Sequence, residues 1–317
     1  MRYTAFGKTG IEVSQIALGG HEFLANGRSR GFNEDFAKAV TPDYLLPDFG
    51  GAKRITVLKT AYDLGINFFD VTIDSEKEAL GRNLKDMPPP YPVYVQTRPE
   101  GMCYGYDPGN RKMLDYALLR AEIQRGLKLI RREVVDFLNI GLINWSIDET
   151  PDYMPQLADR LQRLRKEGLI RYAVADSHAG QRLYLAELAS GTFDAVNLDL
   201  SVGEPGGLQE VIPTARRLGI GVIAREVFFK GEIFTIGEEV GVTDRAAIAR
   251  TALAWAAKQG PDTIILGVDN ADQLRANAAT LELGEAALDP DLIAKLEGAA
   301  GFQTYKDQRL RIFFEST

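Results

Sequence analysis

His21 and His178 are the only imidazoles in the 317-residue chain, and each stands just past a short apolar run, in QIALGGH and RYAVADSH. Imidazole titrates near neutral pH, so both positions invite acid–base chemistry. The plainer alternatives are a loop-capping histidine at 21 and a satisfied helix start at 178. Carboxylates occupy comparable places: Glu22, Asp70, Asp176, Asp199, Glu226 and Asp269. Histidines mixed with carboxylates suit a divalent ion such as Mg, Mn or Zn. Their dispersed spacing assigns no metal ligand, and helix capping or pairing with Arg98 and Arg225 accounts for them equally. A further group, Arg98, Glu100, Tyr104 and Tyr106 in RPEGMCYGYDPGN, offers a phenolic proton donor and a guanidinium able to clamp a carboxylate. Packing of that loop is the alternative. Asn144 and Trp145 read either as sugar-facing residues or as rim packing.

These residues need elements to hold them. Eight short apolar runs alternate with longer segments of helical period, the pattern of βα units around a parallel sheet. The runs are QIAL, NFF, PVYVQT, DFLNI, RYAVA, DAVNL, GVIA and TIIL, preceded by a hairpin-like start. Between them, Ile55 to Leu64, Leu114 to Ile130, Met154 to Lys166 and Ala246 to Lys258 are long enough for three or more turns, and Thr243 is the expected N-cap of the last. Eight such units predict one α/β domain over residues 1–317, a closed (β/α)8 TIM barrel. Glu22 to Ala52 is a long insert after the first strand, rich in Gly, Asn, Asp and Pro, and reads as a lid over the active-site edge of the barrel.

Bulk composition narrows the partners. Hydrophobic residues are 45% and charged residues 26% of the chain, which is ordinary for a packed domain. A net charge of -7 and a pI near 5.1 supply no basic field for nucleic acid or anionic membrane, leaving small polar molecules as the expected substrates. No apolar leader and no run of about 18 apolar residues is present, predicting a cytoplasmic protein. Cys103 is the lone cysteine, which excludes internal disulfides and cysteine-based clusters. The oligomeric state stays open.

FGKTGIEVSQIALGG, GINFFD, SEKEALGRNLK, VDFLNIGLIN, KEGLIRYAVADSH, FDAVNL, GIGVIAREVFFKG and TALAWAA with TIILGVDNADQLRAN together resemble the aldo-keto reductases, in family order and over nearly the whole chain. The nearest branch is the one related to iron–sulfur-associated members, without their cysteine cluster. The resemblance implies a reductase barrel whose catalysis uses a tyrosine, a lysine, an aspartate and a histidine. Only the aspartate, Asp70, is kept. Neither Ser75 nor Ile73 supplies the tyrosine, Arg98 stands at the lysine position and Gly141 at the histidine position. An arginine stays charged and is a poor proton shuttle, so the set is degenerate.

The same resemblance gives the cofactor positions. Gly20, Asn197 and the pair Asp176 and Ser177 fall near the nicotinamide, with Leu200 where a stacking tyrosine is expected. Lys230 and Gly231 match the loop over the pyrophosphate, and Gly267, Asp269, Gln273 and Asn277 match the adenosine end. A carboxylate at 269 repels a 2′-phosphate and accepts bonds from a ribose diol, so the expected cofactor is NAD. An inherited scaffold without a ligand is the alternative. Three functions follow: an NAD(H)-linked oxidoreductase of a small polyol, sugar or hydroxy-carbonyl, with His21 or Tyr104 moving the proton; a lyase, epimerase or isomerase using His21, Asp70, His178 and Arg98, with or without a divalent metal; and a non-catalytic binding protein.

Overall fold

The computed structural model describes residues 1–24, 29–34 and 36–315. Its strands and helices run β1 (Tyr3–Ala5), β2 (Glu12–Ser14), β3 (Ile16–Gly19), α1 (Arg30–Glu34), α2 (Phe36–Ala39), α3 (Ala52–Asp63), β4 (Phe68–Asp70), α4 (Asp74–Asp86), β5 (Tyr94–Thr97), α5 (Tyr116–Ile130) and β6 (Val135–Ile140). The chain continues through α6 (Asn144–Glu149), α7 (Tyr153–Lys166), β7 (Ile170–Ala175), α8 (Gln181–Ala189), β8 (Ala195–Asp199), α9 (Val211–Leu218) and β9 (Gly221–Arg225). It closes with α10 (Glu232–Glu239), α11 (Arg245–Lys258), β10 (Thr263–Leu266), α12 (Ala271–Leu283), α13 (Pro290–Glu297) and α14 (Ala300–Glu315). Strands β3 to β10 close a parallel barrel in the order β10-β3-β4-β5-β6-β7-β8-β9, the (β/α)8 TIM architecture. The β1–β2 hairpin pairs antiparallel apart from it.

All six residues of β6 are buried, as expected of a strand covered on both faces. Successive side chains point to opposite faces. Ala17, Phe68, Phe137, Val174, Ala195 and Ile223 form an apolar cluster with Phe6 from the loop that joins the hairpin strands. Phe6 meets Phe137 edge-on at 5.2 Å between centroids. Two residues further along each strand, on the same side, stand Gly19, Asp70, Asn139, Asp176, Asn197 and Arg225. The pleat thus converts an apolar floor into a polar mouth at the strands' carboxyl ends.

Helix ends follow local chemistry. Asp115 accepts from Ala117 N and Leu118 N at 2.9 and 3.1 Å, and Asp289 caps α13 through Leu292 N at 2.9 Å. The expected cap at Thr243 is corrected by one residue: Asp244 accepts from Ala247 N at 3.0 Å, because a carboxylate at the N-cap position satisfies the free amide and opposes the helix dipole. The insert after β3 carries α1 and α2, and residues 25–28 and 35 of it lie outside the described set. Its second half is anchored on α4: Leu46 N donates to Ser75 Oγ at 2.9 Å, Asp43 N to Asp74 Oδ2 at 2.7 Å, and Phe49 packs on Ala79. At the other edge, α14 brings Tyr305 to stack on Phe229 at 4.6 Å.

Candidate active site

At the mouth, His21 Nδ1 lies 2.6 Å from Glu76 Oε1, the histidine being 36% exposed and the glutamate 1%. Glu76 Oε2 accepts from Thr72 N at 2.8 Å and Thr72 Oγ1 at 3.1 Å, so both carboxylate oxygens are fixed. A Cβ on Gly20 would sit 2.8 Å from Glu76 Oε2 and 2.9 Å from the Asp70 carbonyl, so a side chain at residue 20 would push Glu76 away from His21. Burial opposes the charge on both partners, yet their mutual attraction prevails, raising the His21 pKa and lowering that of Glu76. Asp70, partly exposed, accepts from Gln96 Nε2 at 2.9 Å. Burial, with the charges of Asp176 and Glu76, pushes its carboxyl up to about 6 against the pull of Gln96 and His21.

Across the mouth, Arg225 is the hub. It pairs with Asp176, donates from Nε to Asp199 Oδ1 at 2.5 Å, and brings Nη2 within 3.0 Å of His178 Nδ1. Asp199 is held a second time, by Arg309 Nη2 from α14 at 2.6 Å, and Arg309 also forks onto Glu204 at 2.7 and 2.8 Å. Burial opposes ionisation of Asp199, but the Arg225 guanidinium holds its carboxyl well below the usual range. Glu204, buried and facing Asp199, is pushed up to about 7.

Tyr104 has a left-handed backbone, φ 53, and its N–H donates to the Gly141 carbonyl at 2.6 Å. Its ring fills the space a side chain at residue 141 would take. The hydroxyl donates to Asp176 Oδ2 at 2.7 Å. Burial, with the Asp176 carboxylate, raises its pKa well above the ordinary phenol value, so this hydroxyl holds its proton at neutral pH. Arg98, 6% exposed, lies over the rings of Phe32, Tyr104 and Tyr106 at 5.4–5.7 Å. Its Nη2 is 3.8 Å from Glu100 Oε1, a carboxylate that also holds buried Lys77 at 3.3 Å.

The cofactor candidates divide. Asp176 and Asn197 face the mouth, and Asn197 Oδ1 is buried with no hydrogen-bond partner among the described residues, as are Asn139 Oδ1 and Gln96 Oε1. Ser177 is turned behind the strand, donating to Glu187 Oε1 at 2.7 Å and accepting from Leu142 N at 3.2 Å. Leu200 is fully buried. Lys230 and Gly231 lie in a turn with positive φ, where a Cβ on Gly231 would meet nothing within 4 Å. A Cβ on Gly267 would meet the Phe23 ring at 2.7 Å. Asp269 and Gln273 bond to each other, Asn270 caps α12 through Gln273 N at 3.0 Å, and Asn277 is buried on that helix. A cleft of about 420 Å³ runs from His21 to Asp269, with Arg30, Lys53 and Arg54 among its walls.

The aldo/keto reductase family model matches residues 49–238, more than half of the chain. The chain belongs to the aldo/keto reductase family. Family membership supports an oxidoreductase-like function in general terms, acting on small substrates. The fold is similar to that of aldo-keto reductase AKR11C1 from Bacillus halodurans in its holo form, with TM-score 0.66 over 96% of this chain and 99% of that one, at 17% identity. No curated protein sequence matches the chain. Among the described residues no helix is long and apolar enough to cross a membrane, and no three His, Cys, Asp or Glu side chains gather as a metal site.

The structure brings His21, Asp70, Arg98, Tyr104, Asp176 and His178 to one end of the barrel. Sequence reading missed Glu76, Gln96, Asn139, Glu204 and Arg309. Glu76 had a signal, six residues after Asp70 at a helix start. Gln96 and Asn139 had the period-2 pleat, two residues past Tyr94 and Phe137. Arg309, 110 residues from Asp199, had none.

Proposed function

We propose that the chain is an NAD(H)-linked oxidoreductase of a small polyol, sugar or hydroxy-carbonyl, in which His21, backed by Glu76 and neighboured by Asp70, moves the proton that the family's tyrosine moves. The observation that carries this reading is the His21–Glu76 pair beside Asp70 at the strand ends. A buried carboxylate that orients an imidazole and raises its pKa produces an acid–base group poised near neutral pH. Tyr104 is the poorer proton donor, since its hydroxyl is already committed to Asp176.

The residues present fit a dinucleotide. The unpartnered amide oxygens of Asn197 and Asn139 can accept from a carboxamide, the cleft from His21 to Asp269 has cationic walls for a pyrophosphate, and the Asp269 carboxylate suits a ribose diol. Bound NAD would supply hydride acceptance and donation. The protein's own part is to hold the substrate oxygen near His21, keep Asp70 as a second proton site, and withhold the Tyr104 proton.

Titration of the purified chain with NAD, NADH, NADP and NADPH by calorimetry tests the reading. NAD or NADH should bind more tightly than the phosphorylated forms, and Asp269→Ala should narrow that difference. Absence of binding by all four at millimolar concentration would refute the cofactor assignment.

A further inference from the structure

We infer that the fold holds its two histidines in opposite tautomers, His21 with its neutral-state proton on Nδ1 and His178 with its proton on Nε2, so that the mouth presents one imidazole lone pair and one imidazole N–H. The inference deepens the oxidoreductase reading and rests on it for what binds, but the tautomers follow from the geometry alone.

At His178 the deciding group is Arg225. A guanidinium carries only N–H donors, so a ring nitrogen 3.0 Å from Arg225 Nη2 must accept. Nδ1 is that nitrogen, and a neutral imidazole then carries its proton on Nε2. Asp199 is the competitor, since a carboxylate would draw a proton onto Nδ1. Its Oδ2 is 3.5 Å from Nδ1, beyond a good hydrogen bond, and already accepts from Arg309 Nη2 at 2.6 Å. Arg309 therefore acts through Asp199, and both arginines are positioning residues for His178. At His21 the partner is reversed. Glu76 Oε2 accepts from the Thr72 backbone N–H and hydroxyl, and Oε1 is left as an acceptor for a proton on Nδ1 at 2.6 Å.

Both rings keep an open side, 36% and 38% exposed, and in each Nε2 is the nitrogen not engaged by the protein contacts described. His21 thus offers Nε2 as a base, or as an acid once protonated. His178, tilted 5.1 Å from the Tyr104 ring, offers Nε2–H to a carbonyl or hydroxyl oxygen. This donor replaces the side chain that Gly141 lacks, from a different strand end. The donor at 178 and the base at 21 stand at the ends of β7 and β3, across the barrel from one another, and so offer complementary hydrogen-bonding groups from opposite sides of the mouth.

Selective 15N-histidine labelling of the full chain gives two imidazoles, and long-range proton–nitrogen correlation reads the tautomer of each on the alkaline side of their titrations. His21→Asn assigns the spectrum; should it fail to fold, His178→Gln assigns it from the other side. The expected result is Nδ1–H for His21 and Nε2–H for His178, each favoured about tenfold or more, the ratio that about 1.4 kcal/mol sustains. Arg309→Gln, which frees Asp199 Oδ2, should shift His178 toward Nδ1–H. Nδ1–H for His178 in the unaltered chain, Nε2–H for His21, or an even mixture at either ring overturns the inference. An unchanged ratio in Arg309→Gln overturns the positioning role of Arg309. Because the spectrum is taken without nucleotide, a negative NAD titration and a negative tautomer result are separate outcomes.

Discussion

Asp70→Asn should stabilise the protein at pH 8 while impairing any turnover that uses this carboxyl. The Asp70 carboxyl titrates at about 6 in the folded chain against 3.8 ordinarily, chiefly because burial penalises its charge. A raised carboxyl pKa means that the native state holds its proton longer than the unfolded chain. Stability from this group is therefore fully present below about pH 4, lost between about pH 4 and pH 6, and level above. A shift of about two units corresponds to about 3 kcal/mol as an upper bound. Partial contact with solvent reduces this to about 1–2 kcal/mol. Asparagine keeps the oxygen that accepts from Gln96 Nε2 and cannot ionise. Urea unfolding of both proteins at pH 4, 5, 6 and 8 should show the variant's advantage growing from near zero to about 1–2 kcal/mol. An Asp70→Asn protein less stable than its parent at pH 8, or an advantage independent of pH, would refute the argument that burial dominates this site.

Glu76→Gln removes the charge that raises the His21 pKa, so the limb of the pH–rate profile assigned to His21 should move to lower pH, and kcat/KM should fall about 100-fold to 10,000-fold as expected for a disabled acid–base group. A profile with unmoved limbs would separate Glu76 from the chemistry. Gly141→Ala places a Cβ inside the Tyr104 ring's space and should cost about 1–3 kcal/mol in urea unfolding, from overpacking. In that variant tyrosine absorbance should show Tyr104 displaced from Asp176 and titrating at lower pH; wild-type stability with unchanged titration would contradict the placement of the ring.

Much of the scaffold was legible because its signals are local. Short β-rich runs separated by helical periods specify βα units, and all eight expected strands occur, with ends displaced by a residue or so. The step from an apolar residue to a polar one two positions on, Phe68 to Asp70, Phe137 to Asn139, Val174 to Asp176, Ala195 to Asn197 and Ile223 to Arg225, is written in the sequence too, since period 2 fixes which residues share a face. The insert was legible as a long connection, but its seating on α4 depends on Asp43, Leu46 and Phe49 meeting side chains about thirty residues away. The site was legible as a list of polar residues near strand ends, and that list does not contain its pairings. A glutamate in the first turn of a helix ordinarily serves the dipole; here the space left at Gly20 and the bonds from Thr72 set Glu76 against His21.

The sequence by itself determined a closed α/β barrel and the concentration of histidine and carboxylate at one rim, because both are written in residue type and spacing. Tertiary structure decided which charge meets which. Gly141 became the seat of Tyr104, Arg225 became the partner of Asp176, Asp199 and His178, and Arg309 arrived from the last helix to hold Asp199. Such pairings depend on closing a barrel that brings strand ends together from across the whole chain, and at these distances a buried charge is defined by its neighbours in space and not by its neighbours in sequence.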